Sequence, residues 1–176
     1  MILAAQDIRE RCIRGMITPW TNAKTSHGMS YGVSSAGYDI RIDKGMLLYA
    51  PGFALASTLE RFKMPSDLLG IVHDKSTWAR RGMAVQNTVI EPGWEGYLTL
   101  ELTNHGREIL ELKDGCPIAQ IIFHKLTDHT NQPYRGKYQD QKAGPQGAIL
   151  DDDPARYGKS SSPLQSEGRS GSDSGD

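Results

Sequence analysis

The chain has 176 residues, with 20 Lys plus Arg against 21 Asp plus Glu. That length suits one domain with a real hydrophobic core. A net charge near zero excludes a long-range electrostatic pull toward nucleic acid or acidic membranes, so any anion site has to be a local cluster of cations.

The 19 Gly and 9 Pro favour a turn-rich β architecture over a helical bundle. Cys12 and Cys116 are the only cysteines. They have neither metal-type spacing nor the look of a disulfide framework, which fits a reducing compartment. The opening residues mix charges early and lack the cationic start, apolar run and cleavage site of a signal peptide. No stretch approaches the ~18 apolar residues of a membrane helix. A soluble, cytoplasmic protein with no membrane or nucleic-acid partner is expected.

In chain order, residues 5–15 predict a short helix, with Ile8, Cys12 and Ile13 near one face and Gly15 as its stop. A turn-rich stretch follows, through Pro19 and the segment SHGMSYGVSSAG. Tyr38–Ile42 alternates and predicts a strand. Further strands are expected at 46–50 and from Phe53 to Leu59, separated by Pro51 and Gly52, and a buried one at Leu68–Val72. Residues 76–81 are read as a short helix. The region 83–126 reads as a meander of strands at Met83–Glu91, Gly96–Leu102, Glu108–Leu112 and Ile118–His124. Turn signals recur there every ~8–12 residues, as in a β-sandwich or barrel. From about Arg156 the chain is Ser, Gly and charge with almost nothing apolar. A disordered tail over 155–176 is therefore expected, after a domain spanning 1–154. The Gly158-Lys159-Ser160 triplet is no phosphate loop, because Asp153 stands where the required glycine belongs.

Three segments could carry chemistry. In HDKSTWARRG (73–82), a short helix puts Ser76 and Arg80 on one face at i, i+4, with Lys75 and Arg81 nearby. Arginine makes bidentate contacts to phosphate oxygens, so this cluster suits a polyphosphate. The plain alternative is a solvated basic helix. In VIEPGWEGYLTLELTNHG (89–106), Leu98, Leu100 and Leu102 share one strand face, and Tyr97, Thr99 and Glu101 share the other. The leucine face should enter the core. That leaves Glu101 mid-strand and rigidly held, a candidate proton shuttle if it meets a pocket, or otherwise an ordinary exposed glutamate. In QPYRGKYQDQKAGPQGA (132–148), aromatics, cations and amides alternate with glycine. This is a closing arm over a base and its phosphates, or a polar connector.

Zinc nucleobase deaminases need an H-x-E and a P-C-x-x-C element. Neither is in this sequence. His73, His105, His124 and His129 form no H-E-x-x-H pair either, so no metal-ligand set is expected.

Taken together the segments resemble a known family. KSTWARRG looks like the K/R-S-S/T-x-A-R-x-G phosphate motif of dCTP deaminases. EPGWEGYLTLEL is similar to their D/E-P-x-W/F-x-G-x-x-x-L-E segment, PYRGKYQDQ to their P-Y…K-Y-x-x-Q element, and SSAGYDIRI to their early strand. The matches fall in family order over about residues 1–150. The resemblance implies a mainly β subunit, a distorted jelly roll or barrel of the dUTPase-like type with a short N-terminal helix. It implies a homotrimer with active sites between subunits. The implied reaction turns dCTP and water into dUTP and ammonia, a hydrolase acting on a cyclic amidine C–N bond that supplies the dUMP and dTTP pathway. Magnesium would accompany the triphosphate without being the catalyst, and dTTP is a candidate feedback ligand.

Carried over position by position, Glu101 matches the general acid/base that activates water. Ser76 and Arg80 match residues at the reaction centre and phosphates, and Lys75 a cationic phosphate contact. Glu91 falls where the family has an acid near the deoxyribose 3′-hydroxyl. Tyr134, Lys137, Tyr138 and Gln141 match the arm that covers the nucleotide. Thr88 and Val89, with Gln86, align with a segment whose backbone helps hold base and water. The chain departs from the pattern in three places. The stretch from Gln86 to Ile90 is shorter than the common family form, Glu91 replaces the more usual Asp, and the arm has extra residues around Gln146. Arg81 is a further cation without a counterpart. Three alternatives stay open: a bifunctional enzyme giving dUMP and pyrophosphate, a dUTPase alone, and a non-catalytic nucleotide-binding trimer.

Overall fold

In the N-terminal helix α1 (Ala5–Ile13), Ile8 and Cys12 are one turn apart and both are buried. The Asp7 carboxylate accepts the Ala4 amide at 3.3 Å, which serves one of the orphan donors of the first turn. The helix ends just before Gly15, whose φ of +93° takes the left-handed conformation that suits glycine at a helix exit. These details come from a computed structural model that describes residues 1–150. The expected tail, and the domain boundary at 154, lie outside the described residues.

Among the described residues, twelve strands follow, with one further helix. They are β1 (Ile17–Thr18), β2 (Lys24–Ser26), β3 (Met29–Val33), β4 (Tyr38–Arg41), β5 (Met46–Leu48), β6 (Gly52–Lys63) and β7 (Leu68–Asp74). After α2 (Ser76–Ala79) come β8 (Met83–Val85), β9 (Val89–Ile90), β10 (Glu95–Asn104), β11 (Leu110–Leu112) and β12 (Pro117–Lys125). One sheet runs β1-β6-β10-β8 and another β2-β3-β4-β12-β7-β9, with β5 and β11 as a separate ribbon. Phe62, Leu100 and Leu102 from the first sheet join Tyr38, Ile40, Ile121 and Phe123 from the second in one buried core. This is the mainly β, double-sheet architecture with a short N-terminal helix that the sequence leads one to expect.

Two local expectations need correcting. The stretch read only as turn-rich contains the β2–β3 hairpin, whose two turn residues His27 and Gly28 have φ of 51° and 72°. Positive φ at both positions matches the twist of a two-residue hairpin. The segment Met83–Glu91, read as one strand, is two. Its first half pairs with β10 and its second half with β7, so the chain changes sheets at Gln86–Thr88.

Charged groups inside the fold are paired. Glu60 has no exposed surface; its two oxygens accept the Arg41 amide at 2.9 Å and the Arg41 Nε at 2.7 Å. Burial pushes the Glu60 carboxyl above its ordinary value, and the Arg41 bonds and charge oppose that push without cancelling it. Asp67 grips Arg11 with both oxygens, at 3.1 and 2.6 Å, and so pins α1 to the turn after β6. Burial alone would raise the Asp67 carboxyl, but the bonds and charge of Arg11 outweigh it and hold it below its ordinary value.

A carboxyl lowered by folding adds stability above its unfolded value and loses it as pH falls through its folded value. Asp67→Asn should therefore destabilise the protein by about 1.5–3 kcal/mol at neutral pH, the range for a hydrogen bond to a charged group. Urea unfolding of both forms should show this gap constant above about pH 5 and closing in more acidic solution, once the wild-type carboxylate is protonated. A gap that persists undiminished in strong acid would show that Arg11 is not held through the Asp67 charge.

Candidate active site

The long strand β10 fixes the geometry. Its backbone pairs with β6 along nearly its whole length and with β8 at Leu102–Asn104. The pairing with β6 shifts between Tyr97 and Thr99, where the Leu98 amide instead donates to the Thr58 hydroxyl at 3.0 Å. Cross-strand neighbours show their side chains on the same side of a sheet. Glu101 lies opposite Leu55, and Thr103 opposite Phe53. The outer face of the β6–β10 pair thus presents Phe53, Leu55, Thr99 and Glu101 together, while Leu98, Leu100 and Leu102 are buried.

This face is the floor of a cavity of about 520 Å³, whose lining includes Thr88, Val89, Glu91 and Trp94. That volume falls within the usual range for small-molecule sites. The arm, residues 132–150, closes over it without forming helix or strand. It is stitched down by backbone bonds. Tyr134 N–H donates to the Pro92 carbonyl at 2.8 Å, Asp140 N–H to Glu95 at 2.9 Å, and Tyr97 N–H to Gln141 at 3.0 Å. The Trp94 indole donates to the Tyr138 carbonyl at 2.7 Å. Thr99 is a hub: its hydroxyl accepts from the Gln141 amide side chain and from the Gln146 backbone N–H.

Within the cavity, Glu101 is half-buried, and its Oε2 lies 3.1 Å from the Thr88 hydroxyl. Its own carbonyl accepts the Gln86 amide at 3.0 Å, so the backbone at this position is bonded on both sides. A carboxylate fixed this way, in a mostly apolar and aromatic recess, can take and return a proton at one defined point.

The structure brings Glu101, Thr88, Val89, Glu91, Tyr134, Tyr138 and Gln141 into this one cavity. It does not place Lys75, Ser76, Arg80 or Lys137 on the cavity wall. Ser76 and Arg80 are exposed on α2 and its C-terminal cap. Lys75 is buried: its Nζ lies 2.9 Å from Asp39 Oδ2 and 3.3 Å from the Ser30 hydroxyl. Lys137 stacks on the Tyr138 ring at 5.5 Å and donates to the Ile149 carbonyl. Sequence reasoning does not reach Phe53 and Leu55 as lining residues. Only the β6–β10 register puts them beside Glu101, and no local motif marks that register. Among the described residues, no group of three or more His, Cys, Asp or Glu side chains is placed to hold a metal ion, and no helix is long and apolar enough to cross a membrane.

The fold and cavity define a class, a double-sheet β fold with a carboxylate-bearing recess under the strap of residues 132–150. Solved structures share the fold. The native dUTPase of EIAV superposes with a TM-score of 0.51 at 22% identity, covering 68% of this chain and 96% of its own. The 2′-deoxycytidine 5′-triphosphate deaminase from Agrobacterium tumefaciens gives a TM-score of 0.60 at 16% identity, covering 70% of this chain and 47% of its own, so this chain spans about half of that one. Sequence relatives are nearer. The dCTP deaminase of Campylobacter hominis is 37% identical over 180 residues, covering 83% of this chain and 95% of its own. The dCTP deaminase of Acidobacterium capsulatum is 32% identical over 176 residues, covering 81% and 94%. The model of the dCTP deaminase-like family matches residues 36–126. The chain belongs to the dCTP deaminase-like family.

Proposed function

We propose that this protein deaminates dCTP hydrolytically to dUTP and ammonia. The observation that carries the reading is Glu101, fixed mid-strand in the floor of the recess and bonded to Thr88. Curated relatives named dCTP deaminase support it. Glu101 takes a proton from water as the hydroxide adds to C4 of cytosine, and delivers it to N3. The added hydroxyl then gives up its proton through Glu101 to the amino group. The C4–N bond breaks, ammonia leaves, and the C4 carbonyl of uracil forms. Phe53, Tyr134 and Tyr138 supply apolar surface for a pyrimidine ring.

The site is completed in a homotrimer, where Ser76 and Arg80 of the partner subunit approach this cavity and meet the phosphates and the developing charge. Their exposure in the single subunit, away from the cavity wall, fits that role. Lys75, paired with Asp39, holds the start of α2 in place. Magnesium arrives on the triphosphate as part of the substrate. Cytoplasmic residence follows from the substrate pool. Feedback by dTTP would use this same nucleotide site.

A second reading has its own observation. Glu91 lines the same cavity as Glu101, and an acid at this place could direct water at the α–β phosphate bond. Incubating the protein with dCTP and magnesium and resolving the products separates the cases. We expect dUTP and ammonia in equal amounts. Formation of dUMP and pyrophosphate from dCTP would establish the bifunctional enzyme. Untouched dCTP with cleavage of added dUTP would establish the dUTPase. Binding with no turnover of either nucleotide would leave a sensor and overturn the proposal.

A further inference from the structure

The loop Gln86-Asn87-Thr88 carries the chain from β8 in one sheet to β9 in the other. It is tied to both sheets. The Gln86 amide donates to the Glu101 carbonyl, and the Val72 amide on β7 donates to the Thr88 carbonyl, each at 3.0 Å. Between these anchors, the Thr88 hydroxyl sits 3.1 Å from Glu101 Oε2 and 3.3 Å from the Gln86 carbonyl oxygen. A hydroxyl has one hydrogen to give and rotates to suit its neighbours. Facing a carboxylate it gives that hydrogen to Oε2, because charge-assisted bonds are the stronger ones. When Glu101 carries a proton that preference is gone, and the hydrogen can swing to the Gln86 carbonyl.

We propose that Thr88 is a positioning residue for Glu101: its side-chain hydroxyl holds Oε2 and leaves Oε1 to face water and the cytosine ring. The inference rests on the deamination reading and goes beyond it by assigning the side chain of Thr88, as distinct from its backbone, a part in the chemical step. The geometry favours an effect on turnover over one on binding. Thr88 reaches the carboxylate through a loop whose two ends are fixed by strands, so it sets where Oε1 points.

The test is steady-state turnover of dCTP by the wild type, Thr88→Val and Thr88→Ser, with nucleotide affinity measured in Glu101→Gln and in Glu101→Gln/Thr88→Val. Valine keeps the shape and removes the hydroxyl. It should lower kcat roughly 10- to 100-fold, the range of one hydrogen bond to a charged group, with KM within about threefold of wild type. Serine should bring kcat back to within about threefold of wild type, and the two Gln variants should bind dCTP alike. If valine disturbs the loop, as shown by a lowered melting temperature, Thr88→Ala is read the same way. An unchanged kcat in the valine variant, an equally slow serine variant, or a defect confined to KM overturns the proposal while leaving deamination intact. A wild-type chain that leaves dCTP untouched overturns the deamination reading, and this inference with it.

Discussion

Glu101→Gln will abolish turnover of dCTP, by more than about 10⁴-fold, while nucleotide affinity stays within a few-fold of wild type. One positioned proton-transfer group contributes roughly 10²–10⁴, and in the proposed mechanism the same carboxylate serves both the attack of water and the departure of ammonia. Glutamine has the same length and leaves the strand undisturbed, since the bonds that fix residue 101 are made by its backbone to Gln86 and to β6. Its amide can still meet the Thr88 hydroxyl, but it cannot accept a proton from water. Single-turnover mixing of enzyme in excess over dCTP, read as ammonia release, gives the chemical step directly. Isothermal titration with dCTP and magnesium gives affinity. A variant that turns over at wild-type speed would remove Glu101 from the chemistry and with it the deaminase assignment. A variant that fails to bind would move the role of Glu101 from proton transfer to recognition.

One legible part of this site is written along a single strand. The alternation in YLTLEL separates a leucine face from a face bearing Thr99 and Glu101, and the structure buries the leucines and points Glu101 into the cavity. Turn residues were equally readable. Pro51-Gly52 falls at the entry to β6, Pro92-Gly93 lies just before β10, and Asp114-Gly115 lies between β11 and β12. What escaped is set by pairing between distant segments. Phe53 and Leu55 reach the site because β6 runs beside β10 in one particular register, and a shift of one residue would send both side chains into the core. The sheet change at Gln86–Thr88 is invisible to periodicity, because each half of 83–91 is too short to display its own. Lys75 shows the limit for charge. Its motif suggests a phosphate ligand, but in the fold its ammonium lies against the buried Asp39 carboxylate, which Ser30 and Gln120 also bond. That arrangement exists only because β3, β4 and β12 are neighbours.

Gly96→Ala should cut kcat/KM for dCTP by roughly 100-fold with the fold retained, the loss that a misplacement of about 1 Å at a catalytic assembly can cause. Gly96 lies where the arm crosses β10, in a parallel bridge with Gln141. Its φ is +149°, which L side chains rarely adopt. An added Cβ would sit 2.7 Å from the Gln141 backbone nitrogen and 2.9 Å from its carbonyl oxygen. Backbone atoms cannot rotate out of the way as a side-chain tip can. The strand is held on its far side by the pairing of Gly96 with Phe62, a fully buried residue. The arm is the partner that yields. Moving Gln141 breaks its bonds to Tyr97 and Thr99, and with them the seam that keeps Tyr134 and Tyr138 over the cavity. The backbone strain itself costs about 1–3 kcal/mol, so thermal unfolding should remain cooperative at a lower midpoint. Protease cleavage within the arm should become faster than in the wild type and should be slowed less by bound dCTP. A variant that keeps full kcat/KM would mean that the arm can seat itself without Gln141, and that closure of the cavity does not depend on this crossing.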